Sequence, residues 1–212
     1  MVDKRGNDVA HVPLIGGHVS LDFANTASSR TPGGKEERVH RFEDLLVWSE
    51  RVVAVTPAEV APLRAAARVD PTGANRVLAR ALRLREALYR IFSATVAGQE
   101  CRGPDLDTLN AVLRDALAHR ALATTGVVTC WKWVHGRSDL TRVLWPIALA
   151  AADLLTGPDV DRVRECGNAP CSWLFLDRSR NRSRRWCEMR DCGNRVKVRA
   201  FAARKRGLLG GA

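Results

Sequence analysis

CGNAPC (166–171) and CEMRDCGN (187–194) share one word, Cys-Gly-Asn, and each copy belongs to a pair of cysteines with four residues between them. Four of the chain's six cysteines therefore fall into the pattern Cys166-x4-Cys171-x15-Cys187-x4-Cys192. Thiols stay reduced in the cytoplasm, and there paired cysteines favour a metal over a disulfide. Four thiolates in two close pairs satisfy a tetrahedral zinc ion and leave no position for a catalytic water. One structural Zn2+ held by Cys166, Cys171, Cys187 and Cys192 is the expectation. Gly167 and Gly193 each follow a cysteine, where positive φ would let a backbone N–H approach sulfur. Cys101 and Cys130 lie outside the cluster and read as ordinary free thiols.

Charge gathers around the same cysteines. The chain carries +11 overall, yet fourteen Lys/Arg and four Asp/Glu between Arg162 and Arg206 account for +10 of it. A nearly neutral body thus carries one strongly basic C-terminal block, the footprint of a polyanion partner. The segment DRSRNRSRRW (177–186) places Arg178, Arg180, Arg182, Arg184 and Arg185 among serines and an asparagine, all able to bind phosphate oxygens. GNRVKVRAFAARKR (193–206) is free of breakers and predicts a helix carrying Arg195, Lys197, Arg199 and Arg204. Arg195, Arg199 and Arg206 share one face of it, and Val198 and Phe201 on the other are expected to pack on the metal module. SWLFLDRSRNRSRRW (172–186) reads as strand, polar turn, strand. Trp173, Phe175 and Trp186 could stack on bases, but in so small a module they read first as its core.

Upstream, the pattern is mainly helical. HVSLDFA (18–24) alternates apolar and polar residues and predicts a strand after Gly16-Gly17. Pro32, Gly33 and Gly34 mark a loop. Helical faces follow: Val39, Phe42, Leu45, Leu46 and Val53; a stretch from Pro57 to Arg68; Asn75 to Val96 with Leu78, Leu82, Leu88, Phe92 and Val96; and GPDLDTLNAVLRDALAHR (103–120) with Leu106, Leu109, Leu113 and Leu117 inward. VVTCWKWVH (127–135) alternates again and predicts a second strand, able to pair with the first. Asp139 caps an apolar helix running to Leu155, and Thr156-Gly157-Pro158 ends it. That apolar run is too short to span a bilayer, and the opening stretch shows no signal-peptide pattern. A cytoplasmic protein without membrane contact is expected, of two parts: a helical domain at 1–158 and a zinc module at 159–212.

Two stretches resemble known domains. The run from Cys166 to Arg206 strongly resembles the CGNR zinc finger, named for Cys192-Gly193-Asn194-Arg195. GGHVSLDFANT (16–26) resembles the start of the ABATE domain that precedes this finger in bacterial proteins. The resemblance implies a mainly α fold with a small β element, ending in a treble-clef-like zinc module. It also implies a stress-induced transcription regulator whose finger binds DNA, not an enzyme. No phosphate loop, nucleophile motif or catalytic metal spacing is present. His18, Asp22, Asn25 and Thr26 form a compact polar group that could line a pocket for a small-molecule effector; more plainly, Asp22 and Asn25 cap the following turn. The alternative reading gives the N-terminal domain a ligand-binding or enzymatic role and the finger RNA or protein contacts.

Overall fold

The computed structural model describes residues 9–28, 30, 36–134 and 138–209. Pro32, Gly33 and Gly34 lie outside the described residues, as does the side chain of Arg206. Helix α1 (Val19–Ala24) is followed by a two-residue pair, β1 (Ala27–Ser28) with β2 (Glu36–Glu37). Then come α2 (Phe42–Arg51), α3 (Pro57–Val69), α4 (Pro71–Val96) and α5 (Gly103–Ala118). A hairpin, β3 (Arg120–Thr125) with β4 (Val128–Trp133), precedes α6 (Trp145–Thr156). The C-terminal part holds β5 (Val163–Glu165), antiparallel to β6 (Leu174–Leu176), and ends in α7 (Asn194–Leu209).

The long α4 organises the body. Pro71 sits in its first turn, and the Asp70 carboxylate caps it by accepting from Gly73 N–H at 2.7 Å. Val77, Ala81, Leu84, Leu88, Ile91 and Phe92 recur at helical spacing and are buried. This stripe meets α1, α2, α3, α5 and the β5–β6 pair. Arg85 is fully buried in the same stripe, and its fork grips Glu37 of β2 at 2.5 and 2.6 Å. Burial alone would raise the Glu37 carboxyl; the Arg85 hydrogen bonds and charge outweigh it and bring its pKa down to about 2.

Four expectations are corrected here. HVSLDFA is helix α1, not a strand: Ser20 through Ala24 are all buried, between α4, α6 and β6, so an alternating pattern carries no information about which face is inside. The strand at 128–133 pairs with its own neighbour β3 across Gly126, whose φ of +62° suits a two-residue hairpin loop. In α5 the buried stripe is Asp105, Leu109, Val112 and Ala116, leaving Leu106 and Leu117 outward. The rotation follows from Asp105, which takes the Arg90 guanidinium of α4 with both oxygens at 3.0 Å. Val53 and Val96 are likewise exposed, and Leu78 and Leu82 are only half-buried.

Helical body and C-terminal module share one apolar cluster, from Val9 to Cys192. Leu174, Phe175 and Leu176 of β6 are buried in it. The side chain of Asn25, just past α1, behaves like one more strand residue. Its Nδ2 donates to Leu174 O at 2.8 Å, and Leu174 N–H donates to its Oδ1 at 2.9 Å. On the other edge, Tyr89 O–H and Ser93 O–H of α4 donate to Glu165 of β5 at 2.8 and 2.7 Å. Asn25→Ala leaves both peptide groups of Leu174 buried without these partners. It should lower unfolding free energy by about 1–3 kcal/mol, read by urea denaturation; a change within experimental error would show that the pair contributes nothing.

Candidate metal centre and basic loop

The sulfurs of Cys166, Cys171, Cys187 and Cys192 lie within 4.8 Å of one another. Cys166 follows β5, and its N–H extends that ladder by bonding Trp173 O at 2.8 Å. Cys171 closes a turn on Asn168 O at 2.7 Å, which brings the first pair together. Across the pairs, Cys171 and Cys187 sulfurs are 3.6 Å apart; within the second pair, those of Cys187 and Cys192 are 3.5 Å apart. Tetrahedral zinc with bonds of about 2.3 Å needs sulfur–sulfur edges of about 3.8 Å. The donor set and its spacing therefore fit one structural zinc. Bonds from Cys171 and Cys187 favour the Cys166 thiolate, while that same neighbour pushes the Cys171 thiol upward, so without a metal the sulfurs oppose one another's ionisation. A dication removes the conflict by letting all four ionise.

The surroundings are built for sulfur. Asn168 Nδ2 donates to Cys192 Sγ at 3.3 Å, and Cys187 N–H points to Cys166 Sγ at 3.4 Å. Arg199 on α7 donates to Asn168 Oδ1, so a helix cation backs the amide that faces the metal ligand. The glycines act through space rather than through positive φ, which neither adopts. A Cβ on Gly193 would lie 2.5 Å from Met189 Sδ and 3.2 Å from the Trp186 ring, and one on Gly167 would lie 3.1 Å from Arg185 O.

Residues 177–186 do not form the second half of a hairpin, because β5 takes one edge of β6 and Asn25 and Gly16 take the other. They form a loop pinned by Asp177, which is fully buried. One Asp177 oxygen accepts from Ser179 N–H at 2.9 Å and Ser179 O–H at 2.6 Å; the other accepts from Arg184 N–H at 3.0 Å. Burial would raise its carboxyl, but these hydrogen bonds hold it below the ordinary carboxylate range. Arg182 takes φ +49° at the tip, a left-handed conformation that a non-glycine residue enters only at some cost.

The nine basic residues expected at a polyanion surface divide in two. Arg178, Arg180, Arg182 and Arg185 are exposed on the loop, as are Arg195, Lys197, Arg199 and Arg204 on α7. Arg184 turns inward instead: it lies over the Phe175 ring at 4.4 Å, donates to Trp186 O at 3.1 Å and also bonds Cys187 O. On α7, Arg195 pairs with Asp191 at 2.7 Å. Val198 and Phe201 face solvent, 61% and 66% exposed, and do not pack on the module as expected. The π-type turn Met189–Gly193 leads straight into α7, and the helix meets the module chiefly through that turn. Trp173 and Phe175 are buried and Trp186 half-buried, in accord with their reading as core.

A family profile described as ABATE, "Putative stress-induced transcription regulator", matches residues 17–158, and one for the CGNR zinc finger matches 162–205. The chain belongs to the ABATE family. Among curated proteins none matches it. Among the described residues no helix is long and apolar enough to cross a membrane.

Within the ABATE part, His18, Asp22, Asn25 and Thr26 are engaged by the protein itself. His18 Nδ1 meets Ser20 Oγ at 2.9 Å, and Asn25 holds Leu174. Thr26 O–H donates to Phe23 O at 2.8 Å and receives Arg85 at 3.3 Å. Asp22 accepts Gly16 N–H at 2.8 Å, while Gly16 O accepts Leu176 N–H. This end of the ABATE domain therefore touches β6 twice, once through Asn25 and once through Gly16. The sequence held no signal for these partners, which lie about 150 residues away.

Metal analysis of the purified protein should give about one zinc per chain. Cys187→Ser should lose it, and its thermal melt should fall for the helical body as well, since β6 belongs to that core. A variant that keeps a full zinc equivalent would remove Cys187 from the ligand set.

Asp22 supplies a pH test. Burial raises its pKa from 3.8 to about 6. The folded state then binds the extra proton, so its stabilising contribution is complete below about 3.8 and is lost as pH rises through about 6. Asp22→Asn keeps an acceptor for Gly16 and removes the titration. Its stability relative to wild type should rise by about 1 kcal/mol between pH 5 and pH 7, measured by denaturation with zinc retained. A constant difference would mean that Asp22 titrates normally.

Proposed function

We propose that this ABATE protein is a cytoplasmic transcription regulator that binds duplex DNA through its zinc finger. In this reading Cys166, Cys171, Cys187 and Cys192 are the zinc ligands, residues 159–212 are the reader, and residues 1–158 serve as sensor or oligomerisation unit. The observation that carries it is the Asp177-pinned loop, which presents exposed arginines from a metal-fixed scaffold. Zinc and the buried carboxylate order the loop before any partner arrives, so little ordering entropy is left to oppose binding. A groove of about 500 Å3 beside it is lined by Arg164, Glu165, Arg182, Ser183, Arg184 and Arg185. Its exposed arginines and serine suit phosphate oxygens, which position a duplex without reading it. Arg195 and Arg199 stand nearby on α7 and are the residues to reach base edges, after exchanging Asp191 and Asn168 for the bases. The RNA reading is weaker, because Trp173 and Phe175 are buried away from stacking.

Binding to random duplex DNA should weaken linearly on a log–log plot against salt. Replacing Arg180, Arg182 and Arg185 together by Gln should flatten that slope by about 2–3, near 0.9 per phosphate contact, for every sequence alike. Arg184→Ala should lower stability while leaving the slope of the folded protein nearly unchanged. Selection from a random duplex pool, repeated with Arg195→Lys, should relax preference at one position. A finger whose affinity for duplex ignores salt, or which prefers single-stranded RNA, overturns the reading.

A further inference from the structure

The hairpin β3–β4 leaves the body at its root and reaches into water. Trp133 anchors the root: its ring lies 5.4 Å from that of Trp145 and carries the Arg142 guanidinium at 4.4 Å. Beyond the root, Val128 through Lys132 are all exposed, and Leu122, Val127, Val128 and Trp131 are each more than half exposed. A two-stranded ribbon of this kind is marginal in water by itself. Its backbone is also unfinished. Val134 N–H donates to His119 O at 2.9 Å and continues the ladder, which fixes its phase, because bonded and non-bonded pairs alternate. The pairs 121–132, 123–130 and 125–128 therefore bond each other. The peptide groups of Thr129, Trp131 and Trp133 point off the outer edge of β4, and those of Arg120, Leu122 and Thr124 off the edge of β3. Nothing among the described residues bonds either edge.

We propose that β4 is a subunit interface, where two copies of this chain pair antiparallel about a two-fold axis and join two ribbons into one four-stranded sheet. An edge that offers donors and acceptors alternately is complementary to itself when turned through a two-fold. Trp131 then lies opposite the partner's Trp131, and Thr129 opposite the partner's Trp133. Leu122, already paired with Trp131 across the hairpin, extends the row on both sides into one apolar face. The same register carries Val128 to the partner's Val134, so the apolar tip meets the partner's root rather than water. The four apolar residues present roughly 500 Å2, at about 150–250 Å2 for a fully exposed side chain of such size. A stable dimer takes about 800 Å2 from each partner, and the β4 backbone with Thr129 and Cys130 supplies the remainder. Charge agrees. Arg120 and Lys132 are the only charged residues of the two strands, and Lys132 falls opposite the partner's Cys130. Residues 121–131 hold no cation, so a polyanion is the wrong occupant. The β3 edge is the poorer choice, since Arg120, Ala121 and Ala123 are half-buried against their own chain. The inference rests on the oligomerisation role given above to residues 1–158, and not on DNA binding.

Sedimentation of the zinc-loaded full chain without DNA, from about 1 to 100 μM, tests it. The mass should rise with concentration toward twice the 23.3 kDa of one chain. Trp131→Lys should weaken association at least about tenfold. Proline tells the two edges apart, because it is tolerated where an N–H points off an edge and leaves the inner ladder intact. Thr129→Pro should weaken association about tenfold or more, while Thr124→Pro, its cross-strand neighbour on β3, should change it less than about twofold. Zinc content and the melting temperature at the lowest concentration should match wild type in all three. Trp131→Lys, a surface change, carries the test should a proline unfold the hairpin. A chain that stays monomeric throughout, a dimer indifferent to Trp131→Lys, or one broken by Thr124→Pro and not by Thr129→Pro overturns the proposal. Duplex binding measured on the same samples keeps the two readings apart: a dimer that ignores DNA refutes only the DNA reading, and a monomer that binds DNA refutes only this one.

Discussion

Leu174 sits in the short strand β6, and the Asn25 side chain takes both its peptide N–H and its peptide C=O. Much else follows from that one buried exchange. A three-residue strand has too few ladder bonds to hold its place, and β5 pairs with only one of its edges. Asn25 supplies the other edge from α1, and Gly16 O repeats the device two residues further on at Leu176. With β6 fixed, Cys166 and Cys171 sit in the loop of a fixed hairpin, and Asp177 emerges at the end of β6 in position to fold the arginine loop. The finger therefore has no independent core of its own: its apolar strand is buried in the helical body.

The metal and the carboxylate divide the ordering of the C-terminal module between them. Zinc draws together two knuckles 15 residues apart, where a module this small cannot bury enough apolar surface to do so. Asp177 then organises the chain between the knuckles with three hydrogen bonds. Arg184 ties the end of that loop to the second knuckle through the carbonyls of Trp186 and Cys187. The outcome is a set of like charges held side by side before any polyanion is present. Their mutual repulsion is tolerable because the side chains reach into water, while the backbone is held by groups that are buried.

Acidic and basic surfaces lie close together on this module. Cys171, Cys187, Cys192, Glu188 and Asp191 help line a cleft against the body, and Arg178, Arg180, Arg182 and Arg185 of the loop are exposed. Arg199 links the two sides, since it stands on the basic helix and bonds the amide that in turn bonds Cys192. Two hydrogen bonds thus connect the ligand sulfur of Cys192 to α7.

The sequence alone determined the metal centre, the basic block, the helical character of the body and the positions of most helices, because spacing, charge and the 3.6-residue period are local properties. Cys166-x4-Cys171 and Cys187-x4-Cys192 speak for themselves. Only the tertiary structure decided what α1 is, since a segment buried on every side shows no periodicity to read. It decided which face of α5 is inward, through an Arg90–Asp105 pair that no local pattern announces. It turned Arg184 inward while four neighbouring loop arginines stayed out, because Asp177 fixes the backbone and Phe175 and two carbonyls wait on one side only. It also gave Asn25, read as a turn cap or a pocket residue, its partner at Leu174: a hydrogen bond between residues so far apart in the chain exists only once the helices have packed and brought the two together.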